Sequence, residues 1–355
     1  MIRVVILFGG VSAEHEVSIL SARNIWQALD RKRFQPVLIG INKQGRWQRE
    51  PEATLANATG DPRRLRLDAA APAVTFEQAI AADDIVFPVL HGTYGEDGTV
   101  QGLLDLANVG YVGAGVLGSA VGMDKDVSKR LLRHAGIPVV DHRIVTAQAW
   151  AEQPALVGGM GAELGFPLFV KPANAGSSVG VNRVAAPAGL DSAIRAALAL
   201  DSKVLLERGI NAREIECAVL GNEKPEASLP GEIVVNQRHD FYSYEAKYVD
   251  PDGAAWRIPA DLPATLTARV QELAVATFRT LELAGMARVD FFLDQESGEL
   301  YFNEINTIPG FTASSMYPKL WLASGMSYRE LLDRLVVDAF ARHARRARWS
   351  RQREV

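Results

Sequence analysis

The most informative shortages in this 355-residue sequence are those of cysteine and of long apolar runs. A single cysteine, Cys217, excludes an internal disulfide framework and a cysteine-rich zinc site, and suits a reducing compartment. The start, MIRVVILFGG, lacks the long apolar region and cleavage site of a signal peptide. No stretch of about 18 uninterrupted apolar residues predicts a transmembrane helix. We therefore expect a soluble, cytoplasmic protein without a membrane partner.

Positive charge is also not in excess. The chain has 38 Lys and Arg against 42 Asp and Glu, a formal net charge of −4 and a pI of about 5.9. This balance gives no electrostatic reason to expect a nucleic-acid partner. The basic residues of the tail, 342–355, are interpreted as a solvated helix end and not as a nucleic-acid arm.

The first third of the chain alternates strand and helix patterns. An apolar run at 4–8 turns at Gly9-Gly10 into a helical pattern at 12–29, and further strands are predicted at 37–41 and 85–90. This alternation predicts a doubly wound parallel sheet. The segment 51–72, rich in Ala, Pro, Arg and Asp, is predicted to be a peripheral insertion.

The remainder mixes helices and strands over a length that suits two or three domains. A loop containing Gly158-Gly159 is expected after Trp150. Periodicity and stop signals predict helices at 124–135, 187–200, 263–283 and 328–344, and strands at 166–171, 180–184, 204–207, 213–220 and 231–235.

A predicted hairpin at 286–306 carries the strongest chemical pattern. Residues two apart on a strand share a face, so Arg288 lies beside Asp290, and Glu304 beside Asn306. If both faces are the same side of the sheet, two carboxylates, an amide and an arginine converge. Such oxygen ligands suit Mg²⁺, which takes its remaining ligands from nucleotide phosphates. The alternative is a surface hairpin with a solvated Arg–Asp pair.

A second pattern is the segment 171–180, KPANAGSSVG. A lysine ends one strand and a turn of small residues leads to the next, so that backbone N–H groups can approach phosphate oxygens. The segment does not match a P-loop, which needs GxxxxGK[ST] and a helix directly after it. An ordinary glycine–serine hairpin turn is the alternative.

Three polar loops complete the candidate site. In 207–214, two carboxylates bracket a link between strands that could hold adenosine, or it is simply a polar loop. In 9–16, Glu14 follows the first strand and could pair with a substrate ammonium at the carboxyl edge of the sheet. This loop lacks the G-x-G-x-x-G spacing, which argues against nicotinamide binding. In 91–98, His91 alone is more often a structural histidine.

Taken together, these motifs resemble those of the D-alanine–D-alanine ligase family of the ATP-grasp superfamily. The resemblance runs from the first strand to the final helix. Its matching stretches are GGVSAEHEVS at 9–18, HGTYGEDGTVQG at 91–102, MDK at 123–125, FPLFVKPANAGSSVGV at 166–181, YSYEAKY at 242–248, ARVDFFLD at 287–294 and NEINTIPGFTASS at 303–315.

The resemblance implies an α/β protein with α+β elements, an ATP-grasp fold preceded by an N-terminal doubly wound parallel-sheet domain. The implied domains are a substrate-binding domain at 1–122, a central subdomain at 123–210 with a phosphate loop at 175–180, and a C-terminal subdomain at 211–355. A homodimer is also implied.

The implied reaction has two steps and serves peptidoglycan precursor synthesis. The carboxylate of one D-alanine attacks the γ-phosphate of ATP, giving an acyl phosphate and ADP. The amine of a second D-alanine then displaces phosphate. Because both reactants of the first step are anionic, the site needs charge neutralisation rather than a protein nucleophile.

Residue roles follow from the matched motifs. The implied ATP-binding residues are Lys125, Lys171, Gly176, Ser177, Ser178, Glu207, Ile210, Glu214, Lys247 and Asn303. Two Mg²⁺ ions, for which Mn²⁺ can substitute, would be held by Asp290, Glu304 and Asn306. The implied substrate-binding residues are Glu14, His91, Arg288 and Ser315, and the implied catalytic residues are Glu14, Ser177, Tyr248, Arg288 and Gly310.

Three alternatives remain within or beside this family. Relatives that make D-alanyl-D-lactate tend to carry phenylalanine at the position of Tyr248, so the tyrosine favours an amine nucleophile. A D-alanine–D-serine ligase differs by one substrate hydroxyl and stays open. A non-catalytic ATP-binding protein would not need Arg288.

The sequence departs from the family pattern at the stretch 208–210, which lacks the tryptophan that some relatives place under adenine.

Overall fold

A computed structural model of the protein describes residues 1–58, 64–236, 238, 250 and 253–348. Its strands form three sheets, of five, four and six strands. Lys247 and Tyr248 lie outside the described residues, as does most of the segment 236–252, for which the family resemblance implies a lid over the site, and the end of the basic tail.

The first sheet is parallel except at one edge, with the strand order β3-β2-β1-β4-β5. Its strands are β1 (Ile2–Gly9), β2 (Phe34–Ile41), β3 (Trp47–Arg49), β4 (Ile85–Pro88) and β5 (Gly110–Tyr111), and its helices are α1 (His15–Ala28), α2 (Glu52–Ala56), α3 (Phe76–Ala79), α4 (Thr99–Leu106) and α5 (Val116–Met123). The apolar run of β1 is fully buried, as expected for a strand covered on both faces. The predicted parallel sheet is confirmed.

The second sheet is antiparallel, in the order β6-β9-β7-β8. The elements are helix α6 (Lys125–His134), strand β6 (His142–Thr146), helices α7 (Ala147–Glu152) and α8 (Pro154–Leu164), strands β7 (Leu168–Pro172) and β8 (Asn182–Val184), helix α9 (Leu190–Leu198) after a 3₁₀ turn (Pro187–Gly189), and strand β9 (Lys203–Arg208).

The loop expected around Gly158-Gly159 is wrong, because both glycines lie inside α8. The helix begins at a proline, which is favoured in the first turn. Val157, Gly161 and Leu164 are buried on one face, and a Cβ at Gly161 would lie 2.6 Å from Leu190 Cδ2. Close packing of this face offsets the weak helix propensity of glycine.

The third sheet is antiparallel, in the order β13-β12-β10-β14-β15, with β11 paired to β10. Its elements are β10 (Ala212–Gly221), β11 (Glu226–Ala227), β12 (Gly231–Val235), β13 (Ala254–Arg257), α10 (Ala264–Thr280), β14 (Gly285–Asp294), β15 (Leu300–Asn306), α11 (Met316–Ala323) and α12 (Tyr328–Arg346). The predicted hairpin is confirmed as β14 and β15. Within the described ranges, none of these or the earlier helices has the length and apolar character needed to cross a membrane.

One hydrophobic core joins the first sheet to the third. The ring of Phe311, which follows β15, packs edge-on against Phe87 of β4 with 5.7 Å between centroids, and against Tyr317 of α11 at the same distance. The segment 51–72 is not merely peripheral, because Leu55 and Leu65 are buried in this core. The loop after β15 is therefore held on the first sheet.

The carboxyl edge of the first sheet faces the candidate site. β1 ends at Gly9, whose φ is +91° and where a Cβ would lie 2.3 Å from the Ile41 carbonyl oxygen, so only glycine fits this turn. The loops that follow β1 and β4 emerge together at this edge, because those strands are parallel neighbours. Ligands of open α/β sheets bind at this edge.

Arg342 links α12 to the first sheet. Its guanidinium donates to the carbonyl oxygens of Gly113 and Tyr111, the latter at 3.0 Å, and stacks on the Tyr111 ring. We expect Arg342→Ala to lower the free energy of unfolding by about 3 kcal/mol in urea titrations, because two buried carbonyls lose charged donors. Arg345→Ala, which breaks an ion pair with the exposed Glu223, is the control and should cost below about 1 kcal/mol. Equal losses for the two variants would contradict this role.

Candidate active site

A cleft of about 380 Å³ lies between the second and third sheets. Its apolar walls come from both sheets, and they are formed by Phe169, Val181, Ile210, Ile233, Val235 and Phe292. Ile210 and Glu214, expected near adenine and ribose, both line this cleft. A cleft with apolar walls and a carboxylate among its lining residues can hold a nucleoside.

Two lysines predicted to contact phosphates reach into this cleft from different elements. Lys125 opens α6, where Asp124 caps the helix by accepting from the N–H groups of Asp126 and Val127. The Lys125 ammonium donates to the Ala175 carbonyl at 2.7 Å and lies 3.4 Å from a Glu304 oxygen. Lys125 therefore connects the phosphate loop at 175–180 with the hairpin of β14 and β15.

Lys171 is the second of these lysines. It lies near the end of β7 and donates to the Glu207 carboxylate and, at 3.3 Å, to the Asn303 side-chain oxygen. Its ammonium lies 5.5 Å from the centre of the Phe292 ring. Lys171 therefore links the second sheet to the third.

The carboxylate of Glu207 forms ion pairs with two lysines. It is 1% exposed and pairs with Lys171 and, at 2.8 Å, with Lys129, whose side chain is fully buried. Burial by itself raises the pKa of the Glu207 carboxyl, but the two lysine charges outweigh it and lower that pKa to about 2. Sequence reasoning missed Lys129, although its position four residues after Lys125 places both on one face of α6.

The phosphate loop reaches across to the first domain. Ser177 and Ser178 have φ of 52° and 57°, left-handed values that are uncommon for residues other than glycine. The Ser177 hydroxyl donates to the Glu14 carboxylate. A Cβ at Gly176 would lie 3.2 Å from the same carboxylate, so the loop passes close to Glu14.

The hairpin brings its predicted residues to one end of the cleft. Arg288 donates to the two Asp290 oxygens at 2.8 and 2.7 Å, and the Asn306 amide donates to Asp290 at 3.0 Å. Asp290 is paired with Glu304 in the sheet. The register then shifts, so that Asn303 is an extra residue and lines the cleft beside Glu304. Simple alternation would have placed Asn303 on the opposite face from Glu304.

Glu216 is a site residue that sequence reasoning missed. It lies on β10 directly across from Asp290, is 5% exposed, and pairs with the Arg288 guanidinium at 2.9 Å. Burial would lower the pKa of Arg288, but Asp290 and Glu216 raise it well above its usual range. The sequence signal for Glu216 was its position two residues after Glu214, which places both side chains on one face of the strand.

These ligands suit a magnesium ion bound together with a nucleotide. Across the residues that the structure describes, no group of three or more His, Cys, Asp or Glu side chains is arranged to hold a metal. Asp290, Glu304 and Asn306 instead offer two carboxylates and an amide, which is the oxygen donor set that Mg²⁺ uses when phosphates supply the other ligands. Arg288 and Lys125 offset the carboxylate charge.

A smaller pocket of about 180 Å³ adjoins the cleft. It is lined by the predicted residues Glu14, His91, Ser177, Gly310 and Ser315, and by Glu96 and Trp256. Glu216, Ile233, Arg288 and Glu304 line both cavities. The two cavities therefore meet beside the hairpin of β14 and β15.

His91 lies against this pocket with both ring nitrogens bonded by the protein. Nδ1 contacts the Ile308 carbonyl at 3.0 Å, and Nε2 contacts the Ser21 hydroxyl at 3.2 Å. Burial lowers the pKa of His91, which the nearby Glu14 partly opposes. These contacts make His91 a support of the pocket wall, and its predicted contact with substrate stays a prediction.

Glu96 was also missed. It accepts hydrogen bonds from the backbone N–H groups of Gly92 and Ile308, both at 2.9 Å. Burial and the nearby Glu14 raise the pKa of Glu96 to about 7, against the effect of those two donors and of Arg288. The only sequence signal was its place in the polar loop 91–98.

Gly310 and Ser315 lie together at the far wall of the pocket. The Ser315 hydroxyl accepts from the Thr312 N–H at 2.9 Å. A Cβ at Gly310 would lie 2.6 Å from the Ser315 hydroxyl, so a side chain at 310 would push Ser315 away. Glycine keeps both groups at the pocket surface.

Comparison with known proteins shows the family of this chain. The family model described as D-ala D-ala ligase C-terminus matches residues 131–337, and the model of the N-terminus matches residues 3–114. The chain belongs to the D-alanine–D-alanine ligase family. This confirms the resemblance and the ATP-grasp fold inferred from the motifs.

Curated members of the family match over nearly their whole length. A D-alanine–D-alanine ligase A from Bradyrhizobium diazoefficiens is 51% identical, over 97% of this chain and 96% of the relative. One from Chromobacterium violaceum is 50% identical, over 94% of each chain.

Two solved ligase structures are similar to this chain over nearly its whole length. The D-alanine–D-alanine ligase of Coxiella burnetii is 39% identical with a TM-score of 0.82, covering 98% of this chain and 96% of that one. The VanG D-Ala:D-Ser ligase of Enterococcus faecalis is 35% identical with a TM-score of 0.82, covering 95% and 99%.

Glu207 should make the stability of this family member depend on pH in the acid range. Because its pKa is about 2 in the fold against 4.5 ordinarily, its stabilising contribution is complete above the ordinary value and is lost as pH falls towards the lower one. Urea-unfolding free energies of Glu207→Gln should therefore fall less steeply than wild type between about pH 5 and pH 3. Glu272→Gln, at an exposed carboxylate of α10, is the control and should keep the wild-type slope. Parallel curves for all three proteins would refute the buried charge cluster.

Proposed function

We propose that this protein joins two D-alanine molecules with ATP to form D-alanyl-D-alanine through an acyl phosphate. The observation that supports this most directly is the meeting of two cavities at Arg288 and Glu304. The larger has the size and apolar walls for a nucleotide, and the smaller suits amino acids. A γ-phosphate at their junction would lie within reach of a bound carboxylate.

In this proposal the nucleotide enters the cleft with its base between the two sheets. Phe169, Ile210 and Phe292 pack against adenine, and Glu214 accepts from the ribose hydroxyls. Lys125 and Lys171 neutralise phosphate oxygens, and the N–H groups of Gly176, Ser177 and Ser178 close over them. Glu207 and Lys129 hold Lys171 in place. Asn303 supports the same lysine.

Asp290, Glu304 and Asn306 are the proposed ligands of two Mg²⁺ ions. When bound, these ions neutralise the phosphate charge that otherwise repels the attacking carboxylate. Asp290 would hold a Mg²⁺ ion with the oxygens that accept from Arg288 in the structure, and Glu216 would then keep Arg288 paired. Arg288 is then able to donate to the substrate oxygens without leaving its place on β14.

The smaller pocket would hold both amino acids. Glu14 pairs with the ammonium of the first, held by Ser177 in the closed loop. Ser315 donates to the carboxylate of the second, and Arg288 with the Gly310 N–H stabilises the oxyanion of the tetrahedral intermediate. Tyr248 and Lys247, outside the described residues, are proposed to complete the lid and to reach the transferring phosphoryl group.

We further propose that the product serves peptidoglycan synthesis and that the enzyme is a cytoplasmic homodimer. The names of the curated relatives support the first point. The single, fully buried Cys217 suits a reducing compartment.

D-alanine–D-serine ligation is the second candidate. It is favoured by the likeness to the VanG D-Ala:D-Ser ligase and by hydroxyl groups of Thr312 and Ser315 at the pocket wall. A substrate with one further hydroxyl could bond there.

The test is phosphate release and dipeptide formation from ATP, Mg²⁺ and D-alanine. We expect one dipeptide per phosphate with D-alanine, and none with L-alanine or without amino acid. Competition with D-serine and D-lactate follows in the same assay. Preferred mixed D-alanyl-D-serine would establish the second candidate, and preferred ester would contradict the inference from Tyr248. ATP binding without turnover on any pair would exclude a ligase.

Glu304→Ala tests the metal proposal. Removing this carboxylate should lower turnover by about 100-fold or more, because a metal ligand at the transferring phosphate is lost. The Mg²⁺-dependent part of ADP binding, measured by calorimetry, should fall with it. Glu299→Ala, an exposed carboxylate beside the same hairpin, is the control and should change neither. Unchanged Mg²⁺ dependence in Glu304→Ala would refute the assignment.

A further inference from the structure

The segment that follows β15 is held from outside its own sheet. At Ile308, the N–H donates to Glu96 at 2.9 Å and the carbonyl contacts His91 Nδ1 at 3.0 Å. Both side chains belong to the loop that follows β4. The second oxygen of Glu96 accepts the Gly92 N–H at 2.9 Å, which ties that loop to itself.

Phe311 is held in the same way by the first domain. Its N–H donates to the Ser21 hydroxyl at 3.2 Å, and its carbonyl accepts from the Asn24 amide at 2.9 Å. Ser21 in turn contacts His91 Nε2, so these contacts form one network. The backbone is therefore fastened on both sides of Pro309-Gly310.

Of the two residues between Ile308 and Phe311, only Gly310 has a backbone N–H. Proline has no N–H, and the Gly310 N–H has no acceptor among the residues that the structure describes. Its direction is restricted on both sides, because the proline ring fixes φ at Pro309 after the held Ile308 carbonyl, and the Phe311 N–H fixes the peptide after Gly310. The contacts at Ile308 are therefore one of the two supports that aim the Gly310 N–H.

Resting on the proposed ligase function, we infer that Glu96 is a positioning residue, which aims the Gly310 N–H at the developing oxyanion by holding Ile308. In that step the amine nitrogen bonds to the acyl carbon, and the carbonyl oxygen takes up the negative charge. The nitrogen loses a proton to solvent, and the carbon–oxygen bond to phosphate breaks with its electron pair on phosphate.

A carboxylate is the group that this geometry needs. Each Glu96 oxygen accepts one backbone N–H, one from its own loop and one from Ile308. Glutamine has one acceptor oxygen, and its amide N–H₂ would face the other backbone N–H. Alanine offers neither acceptor. Activity should therefore fall in the order Glu, Gln, Ala.

The position of Glu96 also predicts which property stays unchanged. Glu96 lines the smaller pocket and not the nucleotide cleft. ADP affinity should therefore be kept within about twofold in Glu96→Gln and Glu96→Ala. A general loss of structure would weaken ADP binding as well, so this measurement separates positioning from folding.

The experiment compares wild type, Glu96→Gln and Glu96→Ala by dipeptide and phosphate release, with ADP affinity by calorimetry. We expect kcat to fall by about 100-fold in Glu96→Ala, the loss typical of one oxyanion donor, with a smaller fall in Glu96→Gln. The KM for ATP should change little. Dipeptide formed per phosphate should drop below one, because acyl phosphate that outlasts a slower second step is lost to water.

Asp97→Asn is the matched control. Asp97 adjoins Glu96 and also accepts two backbone N–H groups, those of Tyr94 and Thr99, but neither belongs to the segment after β15. Its kcat and its dipeptide-to-phosphate ratio should stay near wild type.

Three results would overturn the inference. They are wild-type kcat and ratio in Glu96→Ala, a kcat loss matched by loss of ADP affinity, and an equal loss in Asp97→Asn. Wild-type protein separates this from failure of the proposed function: no dipeptide from wild type overturns both, whereas normal wild-type turnover with unaffected Glu96 variants overturns the positioning role alone.

Discussion

Arg288 holds the carboxylates of Asp290 and Glu216 within one buried ion-pair cluster, and both cavities are built around it. Without this cation, two neighbouring strands would bring like charges together in a site of low dielectric, at a large cost in free energy. Lys125 plays the corresponding part at Glu304. The acidic side chains that we propose as metal ligands can therefore be assembled in the folded chain before a metal or nucleotide is present.

The same principle extends along the nucleotide cleft to a second buried cluster. Lys129, Glu207 and Lys171 alternate in charge, and the lysine nearest the cleft is the one that can reach phosphate. Burial of each charge costs free energy, and the opposite charge beside it offsets that cost. The ammonium of Lys171 is therefore held by Glu207 and not by water. Positioning of this kind reduces the reorganisation needed when an anionic substrate binds.

Loop contacts between domains make the two cavities into one site. Ser177 joins the phosphate loop to Glu14, and Glu96 joins the loop after β4 to Ile308. Phe311 buries its ring in the core shared with the first sheet. The parallel sheet thus contributes the pocket wall and also the supports of the segment that carries Gly310.

The sequence by itself determined the parallel first sheet and the hairpin of β14 and β15, and most of the site residues that it predicted line the two cavities. Alternation on β14 and β15 placed Arg288 beside Asp290, and local motifs were sufficient for Lys125, Lys171 and Glu14, because such patterns depend only on neighbours along the chain. The motifs named Asn303, but only the tertiary structure showed the register shift that turns it towards the cleft. Tertiary structure alone decided that Gly158-Gly159 would be helical, and that Lys129, Glu216 and Glu96 would meet partners distant in sequence. Those outcomes depend on packing and charge pairing between segments far apart in the chain, which no local pattern records.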